Sequence, residues 1–327
     1  MYIGSTGESA EILKLLDEDF PEEAPLFDSD DNEVAVMELV EAVLSSGFAY
    51  SFGARNASLA DSDKSERRAA FEDALDSLEA MVAVSGGPFL TGTECRGADL
   101  MLIPMMERYR FQLPILASKL PLRAPLYDAA ARPGLAKWFD AMDSMEAYQR
   151  RCAGDAYSWT AVTSTFMRLF SANATSEEEL AAADEAAEEL LLGGVGQGGG
   201  TCTQREPRAL IEAARKIISN HEAIVGDACR PEPRSQTQVT RVEYTPRARA
   251  EVDAMLRGVC VSLLADAAAM EDESEPRASS EGVTSPTAAA AARVVASRLC
   301  APRDMGAPAA SVLRSKLMEV ALSSSSP

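Results

Sequence analysis

Apolar residues in the first half of the chain recur at i, i+3 and i+4 with polar residues between them, the spacing of one buried stripe on an α-helix. Over residues 8–20, Ile12, Leu13, Leu16 and Phe20 share such a stripe, and Pro21 stops it. The segment PEEAPLFDSDD that follows, rich in proline and acids, predicts a linker. From Glu33 onward, Val36, Met37, Val40, Val43 and Leu44 predict a second helix ending near Gly47. A third is expected over 63–84, with Phe71, Leu75, Leu78 and Met81 inward, broken by SGGPFLTG. Two more are expected over 97–112, ended by Pro114, and over 133–145, started by Pro133 and carrying Leu135, Trp138, Phe139 and Met142 on one face. A stripe of Trp159, Val162, Phe166 and Phe170 closes the predicted bundle.

Beyond residue 170 the punctuation fades. SEEELAAADEAAEELLL reads as an acidic alanine helix, and GGVGQGGG at 193–200 as a flexible joint. Helices are predicted over 207–225 and 246–270, each with a spaced apolar face. Residues 271–286 and the serine tail 323–327 have the composition of disordered segments, and the Ala-rich stretches 287–300 and 309–322 read as marginal helices. The predicted fold class is mostly α, a helical bundle with a helical, partly disordered C-terminal extension.

Composition narrows the function. Of 327 residues, 46% are hydrophobic and only 6% aromatic, which supplies a core but few strand-type runs. A net charge of -20 repels polyanions and anionic surfaces, so no nucleic-acid partner is expected. No apolar run approaches the ~20 residues that span a bilayer and no leader pattern opens the sequence, so neither a membrane role nor export is expected and the expected compartment is cytoplasmic. A targeting segment upstream of Met1 would change that to a plastid or another organelle. The six scattered cysteines read as reduced thiols, and the lone His221 excludes both a two-histidine zinc site and a Ser-His-Asp triad. No metal is expected. Gly194, Gly196 and Gly199 match G-x-G-x-x-G, but without a preceding strand they read as linker.

Gly7-Glu8-Ser9 followed by an amphipathic helix, a linker and a two-helix hairpin resembles the glutathione transferase superfamily. The match continues through FEDALDSLEAMVAVSGGPFLTGTECRGADLMLIPMMERYRFQLP and through ARPGLAKWFDAMDSMEAYQ, residues 5 to about 160 in all. The resemblance implies a remnant of a thioredoxin-like domain and linker over 1–28, the family's C-terminal helical domain over 29–170, and an extension over 171–327. It also implies glutathione as co-substrate, held at its γ-glutamyl end by Glu8 and Ser9, where a helix N-terminus favours an anion. Ser5 to Glu8 equally fits an ordinary capping box.

By the same resemblance, Phe48, Tyr50, Phe52, Arg108 and Tyr109 would line a pocket for a small electrophile. The alternative is that the aromatics are core and the arginines pair with surface acids. Asp99 stands where the family closes a capping box, with Arg96 in place of the usual hydroxyl residue. The family's thiol-activating residue and cis-proline loop belong to a segment not in this sequence, so no catalytic residue is assigned. The expected function is that of a glutathione-transferase-like protein whose full-length form conjugates or reduces small electrophiles, this chain being catalytically incomplete. The alternative is a noncatalytic helical interaction module, and a homodimer is a possible assembly.

Overall fold

The computed structural model of the chain describes residues 9–21, 25–27, 31–170, 175–193, 206–229, 245–271 and 285–323. Among them are twelve α-helices and no β-strand, as the mostly α reading expects. The joint at 193–200 apart from its first residue, the G-x-G-x-x-G glycines, all but the ends of 271–286, and all but the first residue of the serine tail lie outside the described residues. The chain divides into two units, Met1–Tyr148 and Gln149–Pro327.

Unit 1 is built on the hairpin of α2 (Asp31–Gly53) and α3 (Asp61–Val84), with α4 (Gly97–Leu116) against α2, α5 (Pro133–Ser144) against α3 and α1 (Ser9–Asp19) against α4. α2 does not stop at Gly47 as expected. The glycine is where α2 passes closest to its neighbours: a Cβ there would sit 2.5 Å from the Tyr109 ring and 2.8 Å from Phe71. Gly47 is a crossing point rather than a cap. Residues Glu33–Gly53 are also long and apolar enough to cross a bilayer by length and composition, contrary to the expectation that no run approaches that span. Val36, Val40, Val43 and Tyr50 are fully buried and α2 packs on α3 and α4, while Val34, Phe48 and Phe52 of the same helix are exposed and only 33% of the apolar window is buried. Likewise α4 runs through Pro104 and Pro114 instead of ending before the second.

The domain boundary expected near 170 falls instead between Tyr148 and Gln149, inside the short α6 (Glu146–Arg151). The reason lies in α7 (Ala156–Phe170), whose buried face is not the predicted stripe but Tyr157, Ser158, Thr160, Thr163, Ser164 and Met167. Thr160 and Thr163 bond back to carbonyls one turn earlier, at 2.8 and 2.6 Å, and Ser164 bonds Asp184 of α8 (Glu177–Gly193). Tyr157 donates to the Ser297 carbonyl at 2.7 Å, and Ser158 accepts from the Ala301 amide. These bonds tie α7 to the second unit.

The rest of unit 2 is α9 (Pro207–Ala228), α10 (Pro246–Glu271), α11 (Pro286–Arg298) and α12 (Ala307–Ser323), which share one hydrophobic core. The Ala-rich helices expected to be marginal lie inside it. Ala291, Ala292, Ala296 and Ala310 are fully buried, because methyl-sized side chains let α11 and α12 approach closely. Residues 171–327 therefore belong to a unit with its own core.

Candidate functional site

The segments that carry the family resemblance meet at Asp99. It lies in the first turn of α4 and is fully buried, and it accepts three N–H groups: Leu90 at 3.0 Å, Arg96 at 2.9 Å and the Trp138 indole at 2.7 Å. The bond from Arg96 is one half of a capping box; the other half is lost because a guanidinium has no acceptor. Burial pushes the Asp99 carboxyl above the usual range, and the three donors pull it back only in part. This one carboxylate joins the GPFL loop, the start of α4 and α5.

The loop itself is shaped by glycine. Gly86 and Gly92 take positive φ of 79° and 139°, and a side chain on Gly87 would collide with the Gly92 carbonyl. Ser85 closes the turn by donating its hydroxyl toward the carbonyls of Val82, Gly87 and Phe89.

The linker docks on the same helix start. Asp17 of α1 accepts from the amides of Leu26 at 2.6 Å and Phe27 at 3.3 Å, and the Leu26 carbonyl accepts from Gly97 at 2.8 Å. The Phe27 ring occupies the space a Cβ on Gly97 would need. This ties the C-terminal end of α1 to α4. Of the expected ligand pair, Glu8 lies outside the described residues, and Ser9 opens α1 with its side chain undescribed. The α1 stripe is not buried in the described residues: Ile12, Leu16 and Phe20 are 42%, 43% and 49% exposed.

The five residues expected to line an electrophile pocket are not brought together. Tyr50 and Tyr109 are core, each engaged as a donor, Tyr50 to the Leu120 carbonyl at 2.6 Å and Tyr109 to that of Leu44 at 3.3 Å. Phe71 lies between their rings, near-parallel to Tyr50 and edge-on to Tyr109. Burial raises the Tyr50 hydroxyl to about 12 and pushes Tyr109 up as well. Phe48 and Phe52 lie on the surface as a pair with ring centroids 4.3 Å apart, and Arg108 is exposed. Arg110 of this helix lies over aromatics, 4.3 Å from Tyr127 and 5.5 Å from Phe139. The tyrosines are core, and Arg110 of α4 meets Phe139 and Asp143 of α5.

Carboxylates of α3 form a second device that the sequence reading missed. Glu72, Asp76 and Glu79 stand at i, i+4 and i+7, one face of the helix. Glu72 accepts from the Arg123 amide at 2.6 Å and pairs with its guanidinium at 2.9 Å, while Asp76 pairs with Arg123 and with the buried Arg132. Glu79 caps α5, accepting from Gly134 and Leu135 at 2.7 and 2.8 Å. The spacing was visible in the sequence, but nothing there identified the partner.

The thiols are poor nucleophiles where a shift is resolved. Burial raises Cys95 to about 12, with Asp99 adding to it, and also raises Cys229, Cys260 and Cys300. Cys202 lies outside the described residues. In unit 2, ligand atoms of His221, Glu222 and Asp253 fall within 4.8 Å of one another. Their carboxylates are already spoken for, Glu222 by Arg249 at 2.5 Å and Asp253 by Arg257 at 2.8 Å, so the group is an ion-pair cluster that a cation would have to break. No family model matches this chain, and neither a curated protein nor a solved structure matches it significantly.

Proposed function

We propose that unit 1 is a glutathione-transferase-like helical domain, contributing binding and architecture to a protein whose full-length form conjugates or reduces small electrophiles with glutathione. The observation that supports this most is the Asp99 junction. The loop, helix start and Trp-Phe helix that resemble the family in sequence are joined through one buried carboxylate. Thiol activation needs a donor or thiolate aimed at the glutathione sulfur. The hydroxyls of Tyr50 and Tyr109 are committed to backbone carbonyls, and Cys95 is held as a neutral thiol. The chain by itself is therefore expected to show little or no turnover. Glu8 and Ser9 alone give weak binding, since a helix-terminus contact worth about 1 kcal/mol does not offset the cost of ordering a tripeptide.

The test is a conjugation assay with a general electrophile, alongside calorimetric titration of glutathione into the chain. Millimolar or weaker binding, lost in Ser9→Ala, with no turnover, is the expected result. Robust turnover abolished by Ser9→Ala would show that the active centre is at α1 and the argument wrong. Glutathione binding left unchanged by Ser9→Ala would remove Ser9 as its γ-glutamyl contact.

A noncatalytic interaction module is the second reading, favoured by the exposed Phe48–Phe52 pair and the exposed α1 stripe. A homodimer in sedimentation equilibrium, dissociated by Phe48→Ser with Phe52→Ser, would support it.

A further inference from the structure

Unit 2 contains a cleft of about 430 Å³ bounded by α9, α10, α11, α12 and the turn between the last two. Its size falls within the roughly 300–1,000 Å³ of small-molecule sites. The accessible apolar lining is Ala223, Ile224 and Val295, backed by the buried Ile217, Leu256, Leu313 and Leu317, each at most 2% exposed. The rim carries three cations, Lys216, Arg298 and Arg303, and two acids, Asp227 and Asp304.

The charges are not evenly matched. Arg298 pairs with Asp227, and Arg303 bonds both oxygens of Asp304, at 2.9 and 2.8 Å, and the Arg298 carbonyl at 2.8 Å. Asp304 also accepts from the Cys300 amide at 2.8 Å. Both rim acids are thereby satisfied. Lys216 is left over: among the described residues its ammonium has no carboxylate within ion-pair range. Lys216 is solvent-exposed at the mouth of the apolar cleft, the one rim charge among the described residues not engaged by another rim group, and its ammonium can meet an anion there. The surplus acids elsewhere are screened beyond about 8 Å at physiological salt, so the local charge decides.

We propose that this cleft binds a small amphipathic carboxylate, its apolar body on Ile224 and Val295 above the buried Leu256, Leu313 and Leu317, and its head group on Lys216. A cationic ligand would meet Lys216 with no free acid to compensate it. A protein partner would need about 800 Å² of surface per side, more than a cleft of this size offers. The site lies within unit 2 and does not depend on the transferase reading of unit 1.

The probes are decanoate, kept below its micelle-forming concentration, with decanol and decyltrimethylammonium as neutral and cationic counterparts, each titrated calorimetrically into the full chain. Decanoate should bind at one site, about fivefold tighter than decanol, with the cation weakest. Lys216→Gln should lower decanoate to the level of decanol and leave decanol unchanged. Leu313→Trp, which fills the floor, should abolish both. Should that core variant fail to fold by circular dichroism, the surface variant Lys216→Gln alone decides. The proposal is overturned by absence of decanoate binding, by equal affinity for decanoate and decanol, or by decanoate binding unchanged in Lys216→Gln. A homodimer whose formation protects the cleft and excludes decanoate would assign the floor to a second copy and overturn it too.

Discussion

Replacing Asp99 tests the joint on which unit 1 depends. Its Oδ1 accepts from Leu90 and from the Trp138 indole, and its Oδ2 from Arg96, all in a fully buried site. Asp99→Ala leaves three donors without an acceptor, each costing about 1–3 kcal/mol when buried. Removal of a desolvated carboxylate returns part of that, so a net loss of about 3–5 kcal/mol is expected, a large share of a domain's whole stability. Asp99→Asn is the finer probe. With its oxygen at the Oδ1 position it still accepts from Leu90 and Trp138, but its NH2 then faces the Arg96 N–H, so it should cost about 1–2 kcal/mol. The chain has two tryptophans, Trp138 in unit 1 and Trp159 in unit 2. In a Trp159→Phe background, urea unfolding followed by the fluorescence of Trp138 reports unit 1 alone. The order wild type, Asn, Ala should appear in the midpoints of that transition. An Ala variant within 0.5 kcal/mol of wild type, or an Asn variant worse than Ala, would refute the claim that these three bonds hold the joint.

Trp138→Ala should cost about 3–5 kcal/mol, since a fully buried ring in edge contact with Phe139 is replaced by a cavity; an unchanged melting temperature would contradict it. Gly47→Ala should destabilise by about 1–2 kcal/mol in spite of alanine's better helix propensity, because the new methyl meets the buried Tyr109 and Phe71 rings. Gly258→Ala, with nothing within 4 Å of the new Cβ, should instead stabilise α10 by up to about 1 kcal/mol, so equal shifts in urea midpoint for the two variants would remove the steric argument. Glu251 is held below its ordinary range by Ser285 and Arg247, and Asp253 by Arg257. Lowered folded values mean that the stability they contribute is present above about pH 4.5 and lost as pH falls through and below the ordinary carboxylate range. A Glu251→Gln, Asp253→Asn double variant should flatten that acid limb in pH-dependent unfolding of unit 2, and an unchanged slope would exclude these groups as its source.

The local pattern along the chain determined the helices. Proline starts, glycine breaks and apolar stripes are short-range signals, and they located α3, α5, α9 and α10 to within a few residues. What they left undetermined is what each face meets. Gly47 carries the same local signal whether it ends a helix or lets one pass close to two aromatic rings, and only the approach of Tyr109 and Phe71 decides between them. The stripe of α7 was assigned by hydrophobicity, yet its threonines turn inward because their hydroxyls are satisfied by the helix's own carbonyls. Alanine-rich α11 and α12 are weak helices in isolation and become core only where neighbours close on their methyl groups. The same holds for the sites. Asp99 was marked as a helix-start residue by the family resemblance, but its bond to Trp138, 39 positions away, was not legible. The cleft around Lys216 draws its floor and rim from segments spread over residues 216–317, a juxtaposition that no short-range pattern encodes and that packing of four helices alone produces.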